Sequence, residues 1–170
     1  MCRLRLFGTV QLEKDGASIS VPGRKARALL AYLVLYPEPH AREQLAALFW
    51  DSGSDAGARL SLRVNLTRLK KIIPDLLLAD VDTVQLNPNA QLWVDVTEFT
   101  SALATNTDKT ARALSASVEQ NSFLEQATFL YTGDLLSEFY DDWVIKEREH
   151  LRQLYLDALL DLPHHHRPQS

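Results

Sequence analysis

The stretch of residues 56–73 constrains the fold of this chain more than any other feature of its sequence. Placed on a helix at about 100° per residue, its apolar residues form one narrow stripe and its opposite face is basic. The stripe consists of Leu62, Leu66, Leu69 and Ile73, and the outward face consists of Arg63, Val64, Thr67, Arg68 and Lys71. Such a helix is stable only when the stripe packs against other elements, so the flanking sequence should supply them.

Short strands and two more helices are predicted before this helix. The predicted strands cover residues 4–7, 9–12 and 17–21, and the predicted helices cover residues 24–36 and 42–50. The strands show rough alternation around turn-prone glycines, and the helices show apolar residues at helical spacing. We expect Leu45, Leu48 and Phe49 to share one buried face of the second helix. Ser54 or Asp55 is expected to cap the helix that follows.

After Pro74 the sequence predicts a β-hairpin from strand-like runs at residues 76–79, 83–86 and 92–96. Its turn lies either at Asp80-Val81-Asp82 or within residues 87–91, depending on register. Strands, three helices and a hairpin follow the order of a winged helix-turn-helix. We therefore predict an α+β winged helix-turn-helix domain over residues 1–96.

From residue 97 to 162 the pattern predicts helices alone. They cover a short segment around Phe99 and residues 111–131 and 142–162, with Gly133 expected to cap the second helix. Their apolar stripes come from Leu114, Val118, Leu151, Tyr155, Ala158, Leu159 and Leu162. These helices resemble the antiparallel pairs of tetratricopeptide repeats, although no complete 34-residue repeat is present. We predict an all-α, tetratricopeptide-like segment, incomplete at its end, and a tail over residues 163–170.

Charge is distributed unevenly along the chain. Residues 1–73 hold 12 basic and 6 acidic residues, a net charge of +6, whereas residues 74–170 hold 6 basic and 16 acidic residues, a net charge of −10. The overall charge of −4 therefore hides a basic part that can meet phosphates and an acidic part suited to a protein partner.

The third helix supplies the candidate DNA-binding residues, because the major groove admits one helix whose outward side chains reach phosphates and base edges. A basic helix can also be merely solvated, but the helix before it and the hairpin after it favour the DNA interpretation. In a winged helix the tip of the hairpin, called the wing, usually meets the minor groove or the DNA backbone. Of the two possible turns, only residues 87–91 offer side-chain amide donors, so we favour that turn as the wing. The predicted DNA-binding residues are Arg59, Arg63, Val64, Thr67, Arg68, Lys70, Lys71, Asn87 and Asn89.

The sequence contains no motif typical of an enzyme or of a metal site. It contains no glycine-rich phosphate loop, no GxSxG motif and no metal-ligand spacing of His and Cys. His164–His166 could chelate a metal but sit in a proline-flanked tail, and Asp141 with Asp142 is better suited to capping a helix than to acid-base work. Cys2 is alone, which excludes an internal disulfide. We expect a cytoplasmic protein that is not an enzyme, needs no cofactor and does not enter a membrane.

Three blocks resemble a known family. Residues 23–33 (GRKARALLAYL), 42–50 (REQLAALFW) and 58–70 are similar to the OmpR-type DNA-binding domain of SARP-class activators, the antibiotic regulatory proteins of bacteria. Residues 131–151, which include YTGDLL and FYDDW, are similar to the start of the bacterial transcriptional activator domain that follows it in those proteins.

The resemblance implies an OmpR-like fold and a transcriptional activator that binds direct repeats in promoters, with the option of a homodimer on DNA. It also implies contact with RNA polymerase through the loop Asp51, Ser52, Gly53, Ser54 and Asp55. The rival interpretation is a protein-interaction module, in which the winged helix is a docking surface and the acidic helices bind a partner. A non-basic hairpin tip favours the rival, and the Arg63, Thr67 and Lys71 face favours DNA.

Overall fold

A computed structural model of the chain describes residues 1–51, 53–107 and 117–162, and the side chains of residues 105–107 and 117–121 fall outside that description. The strands are β1 (Cys2–Arg5), β2 (Gln11–Lys14), β3 (Ala17–Ile19), β4 (His40–Ala41), β5 (Leu77–Ala79), β6 (Thr83–Leu86) and β7 (Leu92–Val94). The helices are α1 (Arg24–Leu35), α2 (Arg42–Phe49), α3 (Asp55–Ile72), α4 (Asp95–Thr107), α5 (Ser117–Leu130) and α6 (Asp142–Asp161). Four of the residues singled out above, Ser52 and His164–His166, lie outside the described residues, as do Leu114 and the side chain of Val118.

Two small sheets hold the strands. One has the order β3-β2-β1-β7, and the other has the order β4-β6-β5 with antiparallel neighbours. The β2–β3 turn is the two-residue Asp15-Gly16, with φ of 51° and 84° and Lys14 paired with Ala17. Positive φ at both turn positions matches the right-handed twist of the strands, which explains why an Asp-Gly pair stands here.

The chain divides into two compact units. The N-terminal unit contains Met1–Leu4 and Val10–Leu92, and the helical unit contains Arg5–Thr9 and Trp93–Ser170. A mixed α/β unit followed by a helical unit agrees with the coarse layout predicted from sequence. The exact domain boundary at residue 96 stays a prediction.

Helix α1 lies at the centre of the N-terminal unit, since Leu29, Leu30 and Leu33 are fully buried. The predicted stripe of α3 is confirmed, because Leu62, Leu66, Leu69 and Ile73 are each at most 3% exposed. The predicted face of α2 is wrong at one position. Leu45, Ala46 and Phe49 are buried, but Leu48 is 44% exposed, because it lies about 60° outside the arc of the helix that those three residues cover.

The hairpin of the N-terminal unit corrects the favoured turn. Strands β5 and β6 pair antiparallel with Ala79 opposite Val84, so the turn is Asp80-Val81-Asp82. Residues 87–91 instead connect β6 in one sheet to β7 in the other. An Asn-Pro-Asn run favours any tight reversal, and its composition does not tell a hairpin turn from a link between two sheets.

In the helical unit, α4 packs against α5 and α5 packs against α6. The segment Arg5–Thr9 belongs to this unit, although the sequence predicted residues 4–7 as a strand of the N-terminal domain. Leu136 N donates to Leu6 O (2.9 Å), and Gly8 N donates to Asp134 O (2.9 Å). The Phe7 ring lies 5.4 Å from Phe99 and 4.7 Å from Tyr131. An N-terminal segment therefore contributes to the core of the later helices.

A buried carboxylate fixes this segment. Asp95 is 3% exposed and accepts hydrogen bonds from the backbone N–H groups of Leu6 (2.9 and 3.0 Å), Phe7 (3.0 Å) and Val96 (2.8 Å). Burial raises the pKa of Asp95, and the three N–H donors oppose that rise by stabilising the charged form. The same contacts explain why β7 ends at Val94 and a helix begins at Asp95, two residues earlier than the predicted strand end.

An arginine holds the loop between α5 and α6. Arg148 donates to the carbonyl oxygens of Leu135 (2.8 Å), Leu136 (2.7 Å) and Phe139 (2.7 Å). Helix α5 ends at Leu130, and Gly133 does not adopt the left-handed conformation expected of a capping glycine, so that prediction is wrong.

Helix α6 departs from the predictions in two more details. Asp141 stands at the N-cap of α6, but its side chain makes no capping bond, and only its carbonyl oxygen accepts from the first turn. Of the predicted apolar stripe, Leu151 and Ala158 are buried, Tyr155 and Leu162 are half-buried, and Leu159 is 39% exposed.

Candidate nucleic-acid interface

Helix α3 is held in place from its start to its end. The Ser54 Oγ accepts a hydrogen bond from Gly57 N at 3.1 Å, which confirms Ser54 as the cap. Lys70 and Lys71 lie in the last turn, where positive charge interacts favourably with the helix dipole. The buried stripe anchors the helix along its length, so its opposite face is presented on a fixed support.

The outward face of α3 is exposed and rich in cations. Its exposed residues are Arg59, Arg63, Val64, Thr67, Arg68 and Lys71, while Lys70 is half-buried. In the described part of the chain, none of the four exposed cations pairs with an acidic side chain. Their charge is therefore available to a ligand rather than neutralised within the protein.

A groove runs beside this face. It has a volume of about 620 Å³ and lies between α3, the start of α2 and the hairpin turn. Three arginines line it, together with two acids and a group of apolar side chains. The lining residues are Ala41, Arg42, Glu43, Ala56, Arg59, Leu60, Leu62, Arg63, Val81 and Asp82. We call it the arginine groove.

The hairpin turn is fastened to the start of α2. Arg42 Nε donates to Asp80 O (2.8 Å), and Arg42 N donates to Asp82 O (2.8 Å). The Asp80 carboxylate accepts from Asp82 N (2.8 Å), Thr83 N (2.7 Å) and the Thr83 hydroxyl (3.1 Å), and these bonds lower the pKa of Asp80. The turn is thus ordered and acidic, with Val81 89% exposed at its tip.

The structure does not bring Asn87 and Asn89 to the arginine groove. Asn87 Nδ2 donates to Asp75 O (2.8 Å), and Asn87 Oδ1 accepts from Asn89 N (3.0 Å). Both residues line a different cavity, of about 270 Å³, beside Met1 and Cys2. They follow β6, whereas the hairpin turn precedes it, so a four-residue strand of about 13 Å separates the two ends.

The described residues of the loop predicted to meet polymerase surround a third concavity. Asp51, Gly53, Ser54 and Asp55 line a cavity of about 290 Å³ together with Glu43, Trp50 and Arg59. The Ser54 hydroxyl is used to cap α3. Among the described residues of this loop, the acidic side chains Asp51 and Asp55 are therefore the polar groups left for a partner.

Of the ten residues that line the groove, sequence reasoning named Arg59 and Arg63 as DNA-binding and missed the others. Leu60 could have been found, because its position one residue after Arg59 places it about 100° round the helix, within the outward face. Arg42 and Val81 carry no such signal. They reach α3 only because β4 pairs with β6 and brings the start of α2 to the hairpin.

Among the described residues, no group of three or more His, Cys, Asp or Glu side chains is placed to hold a metal ion. None of the described helices combines the length and apolar character that crossing a membrane requires.

No protein-family model matches the chain, and no curated protein matches it. Among solved structures, the chain is similar to Mycobacterium tuberculosis EmbR in complex with a low affinity phosphopeptide, with a TM-score of 0.76 and 21% sequence identity. The match covers 93% of this chain and 43% of the EmbR chain, so this chain spans less than half the length of that one. The likeness shows a shared fold, which fits a winged-helix plus helical layout.

Proposed function

We propose that this protein is a sequence-specific DNA-binding transcriptional regulator of the SARP type, and that the outward face of α3 enters the major groove. One observation carries the proposal: four exposed cations, with no acidic partner among the described residues, stand on a helix whose other side is buried in the core. The fold shared with EmbR and the blocks that resemble SARP-class activators support it.

The cations have different roles in this proposal. Arg63 lies mid-helix and can present two donors to a guanine edge, whereas Lys71 at the helix end contacts a phosphate. Arg42 and Arg59 give the arginine groove a positive wall for a sugar-phosphate strand. Glu43 and Asp82 line the same groove and repel the phosphates of that strand. The hairpin turn therefore contributes less to DNA affinity than a basic wing would.

Activation is assigned to the acidic loop. We propose that Asp51 and Asp55 beside the start of α3 contact RNA polymerase, and that the helical unit supports pairing of protomers on promoter repeats. The acidic hairpin turn favours a second candidate function, a protein-interaction module without specific DNA binding.

Paired affinities separate the two candidates. Arg63→Ala, Lys71→Ala and the control Lys146→Ala, an exposed lysine of the helical unit, are each measured on a selected duplex and on a random duplex. Arg63→Ala should weaken binding to the selected duplex by about 1–3 kcal/mol and barely change binding to the random one. Lys71→Ala should weaken both alike, and Lys146→Ala should weaken neither. If all three variants bind like the parent, α3 does not contact DNA.

A further inference from the structure

The centre of the outward face of α3 is apolar, although the face as a whole is basic. Leu60 is 53% exposed and Val64 is 41% exposed. Taking Arg59 as zero, Thr67, Leu60 and Val64 lie at about 80°, 100° and 140° around the helix. We call these three residues the apolar ridge.

Thr67 belongs to this ridge through its methyl group. Its Oγ1 donates to Arg63 O at 2.9 Å, one turn back along the same helix. The hydroxyl group is therefore occupied within the helix, and the methyl group is the part of this exposed side chain that can contact a ligand.

Cations flank the ridge on both sides. Arg59 and Arg63 lie at about 0° and 40°, toward the arginine groove, and Arg68 lies at about 180°. Lys71 lies at about 120°, one turn beyond Thr67, and ends the ridge. The Arg68 guanidinium also approaches the start of α1, since a β-carbon at Gly23 would lie 3.6 Å from its Nη1. Exposed apolar side chains with cations on either side complement a surface that is apolar at its centre and anionic at both edges.

The major groove presents such a surface where thymines occur, because the thymine C5 methyl is the apolar feature of its floor and phosphates line its rims. Leu60 to Thr67 span about 10 Å along the helix axis, which matches about three base-pair steps. We infer that Leu60, Val64 and Thr67 select DNA by contact with thymine methyl groups within three or four consecutive base pairs. This inference rests on the proposed DNA-binding function.

The experiment removes the methyl groups alone. The full chain first selects its preferred site from a duplex pool with a randomised centre, and each thymine of that site is then replaced by deoxyuridine, which lacks only the C5 methyl. We expect about a fourfold loss of affinity for each methyl group that is read, since burying one such carbon is worth about 0.8 kcal/mol. Thymines outside the contacted steps should show no loss and serve as internal controls.

Variants then connect the methyl groups to the ridge. At each position we compare the affinity for the thymine duplex with the affinity for the uracil duplex. In Val64→Ala this ratio should fall toward one at some positions, and in Leu60→Ala it should fall toward one at different positions. Leu48→Ala, which removes an apolar side chain of similar exposure from α2, should keep the parent ratio. Exposed positions of this kind contribute little to folding, so the variants should remain stable.

Each outcome is decisive. Selective binding that is insensitive to uracil at every position overturns the inference and leaves the proposed DNA binding intact. Uracil sensitivity that persists unchanged in both Val64→Ala and Leu60→Ala also overturns it, because another element then reads the methyl groups. Failure to select any site from the pool overturns the proposed function together with this inference, and would favour a protein partner for the ridge.

Discussion

Three arginines of α3 and two arginines of the helical unit are used in opposite ways. In the helical unit, Arg148 is occupied by three backbone carbonyls, and Arg152 pairs with Asp134 and Glu149. In the N-terminal unit, Arg59, Arg63 and Arg68 stand exposed without acidic partners in the described part of the chain. A guanidinium whose donors are used internally is part of the fold, whereas one left open is available to bind. Arginine content alone would not distinguish these roles.

The charge of each unit agrees with that difference. The N-terminal unit holds 11 basic and 9 acidic residues, and the helical unit holds 7 basic and 13 acidic residues. The excess of acids in the helical unit would repel DNA, and its Arg148 and Arg152 bind the loop between α5 and α6. The small excess of cations in the N-terminal unit is concentrated on one helix face. The position of these cations, rather than net charge, makes the N-terminal unit the candidate for binding a polyanion.

The largest expected effect is in the helical unit. Asp95→Ala leaves three buried N–H donors without an acceptor, and each costs about 1–3 kcal/mol. The free energy of unfolding measured in urea should therefore fall by about 3–9 kcal/mol. Asp95→Asn retains one accepting oxygen and should lose less. Hydrogen exchange at the Leu6 and Phe7 amides should accelerate in the alanine variant. Amides as protected as in the parent would show that the carboxylate does not hold the segment.

The next effect is in the N-terminal unit and separates the two faces of α3. Leu66 is 3% exposed, so Leu66→Ala should cost about 2–5 kcal/mol through lost burial and a cavity. Leu60→Ala, on the exposed face of the same helix, should change the free energy of unfolding by less than about 0.5 kcal/mol. Equal losses in the two thermal melts would mean that α3 does not have a buried and a free side.

A smaller effect tests whether the helical unit depends on the shape of a guanidinium. Arg148→Lys keeps the charge but cannot reach three carbonyl oxygens at once, and we expect a loss of about 1.5–3 kcal/mol. Arg63→Lys in the N-terminal unit is the matched control and should leave the melting temperature unchanged. If Arg148→Lys melts at the same temperature as the parent, the hydrogen bonds of Arg148 do not stabilise the fold, and the contrast with the exposed arginines of α3 fails.

The smallest effect comes from the exposed ion pair. The hydrogen bond between Asp134 and Arg152 lowers the pKa of Asp134. The pair therefore stabilises the fold at pH values above the ordinary Asp pKa of about 4, and this stability is lost as the pH falls through the lowered pKa. The side chains of Arg152 and Asp134 are 45% and 37% exposed, so solvent screens the pair and keeps its contribution to stability small. Arg152→Ala should return the Asp134 pKa toward its ordinary value in an NMR titration. An unchanged titration would show that the pair does not form in solution.

Helical periodicity predicted α1 and α3 and the buried stripe of α3, because a long amphipathic helix must turn one side to a core. It did not predict where Leu6 and Phe7 pack, since alternation indicates that a side chain is buried but not against which element. The outward face of α3 was predicted for the same reason as its stripe. The arginine groove was not, because it depends on a two-residue strand, His40–Ala41, that pairs with β6.

The salt dependence of DNA binding tests the central claim that the outward face of α3 meets phosphates. Each phosphate contact contributes about −0.9 to the slope of log K against log salt. Fluorescence anisotropy between about 50 and 200 mM salt should give the parent a slope between about −3.5 and −5.5, from four to six contacts. A variant with Arg59, Arg68 and Lys71 replaced by Gln should show a slope flatter by about 2.7, from three lost phosphate contacts, because Arg63 is assigned to a base edge. A parent slope near zero, or the parent slope retained in that variant, would contradict the account.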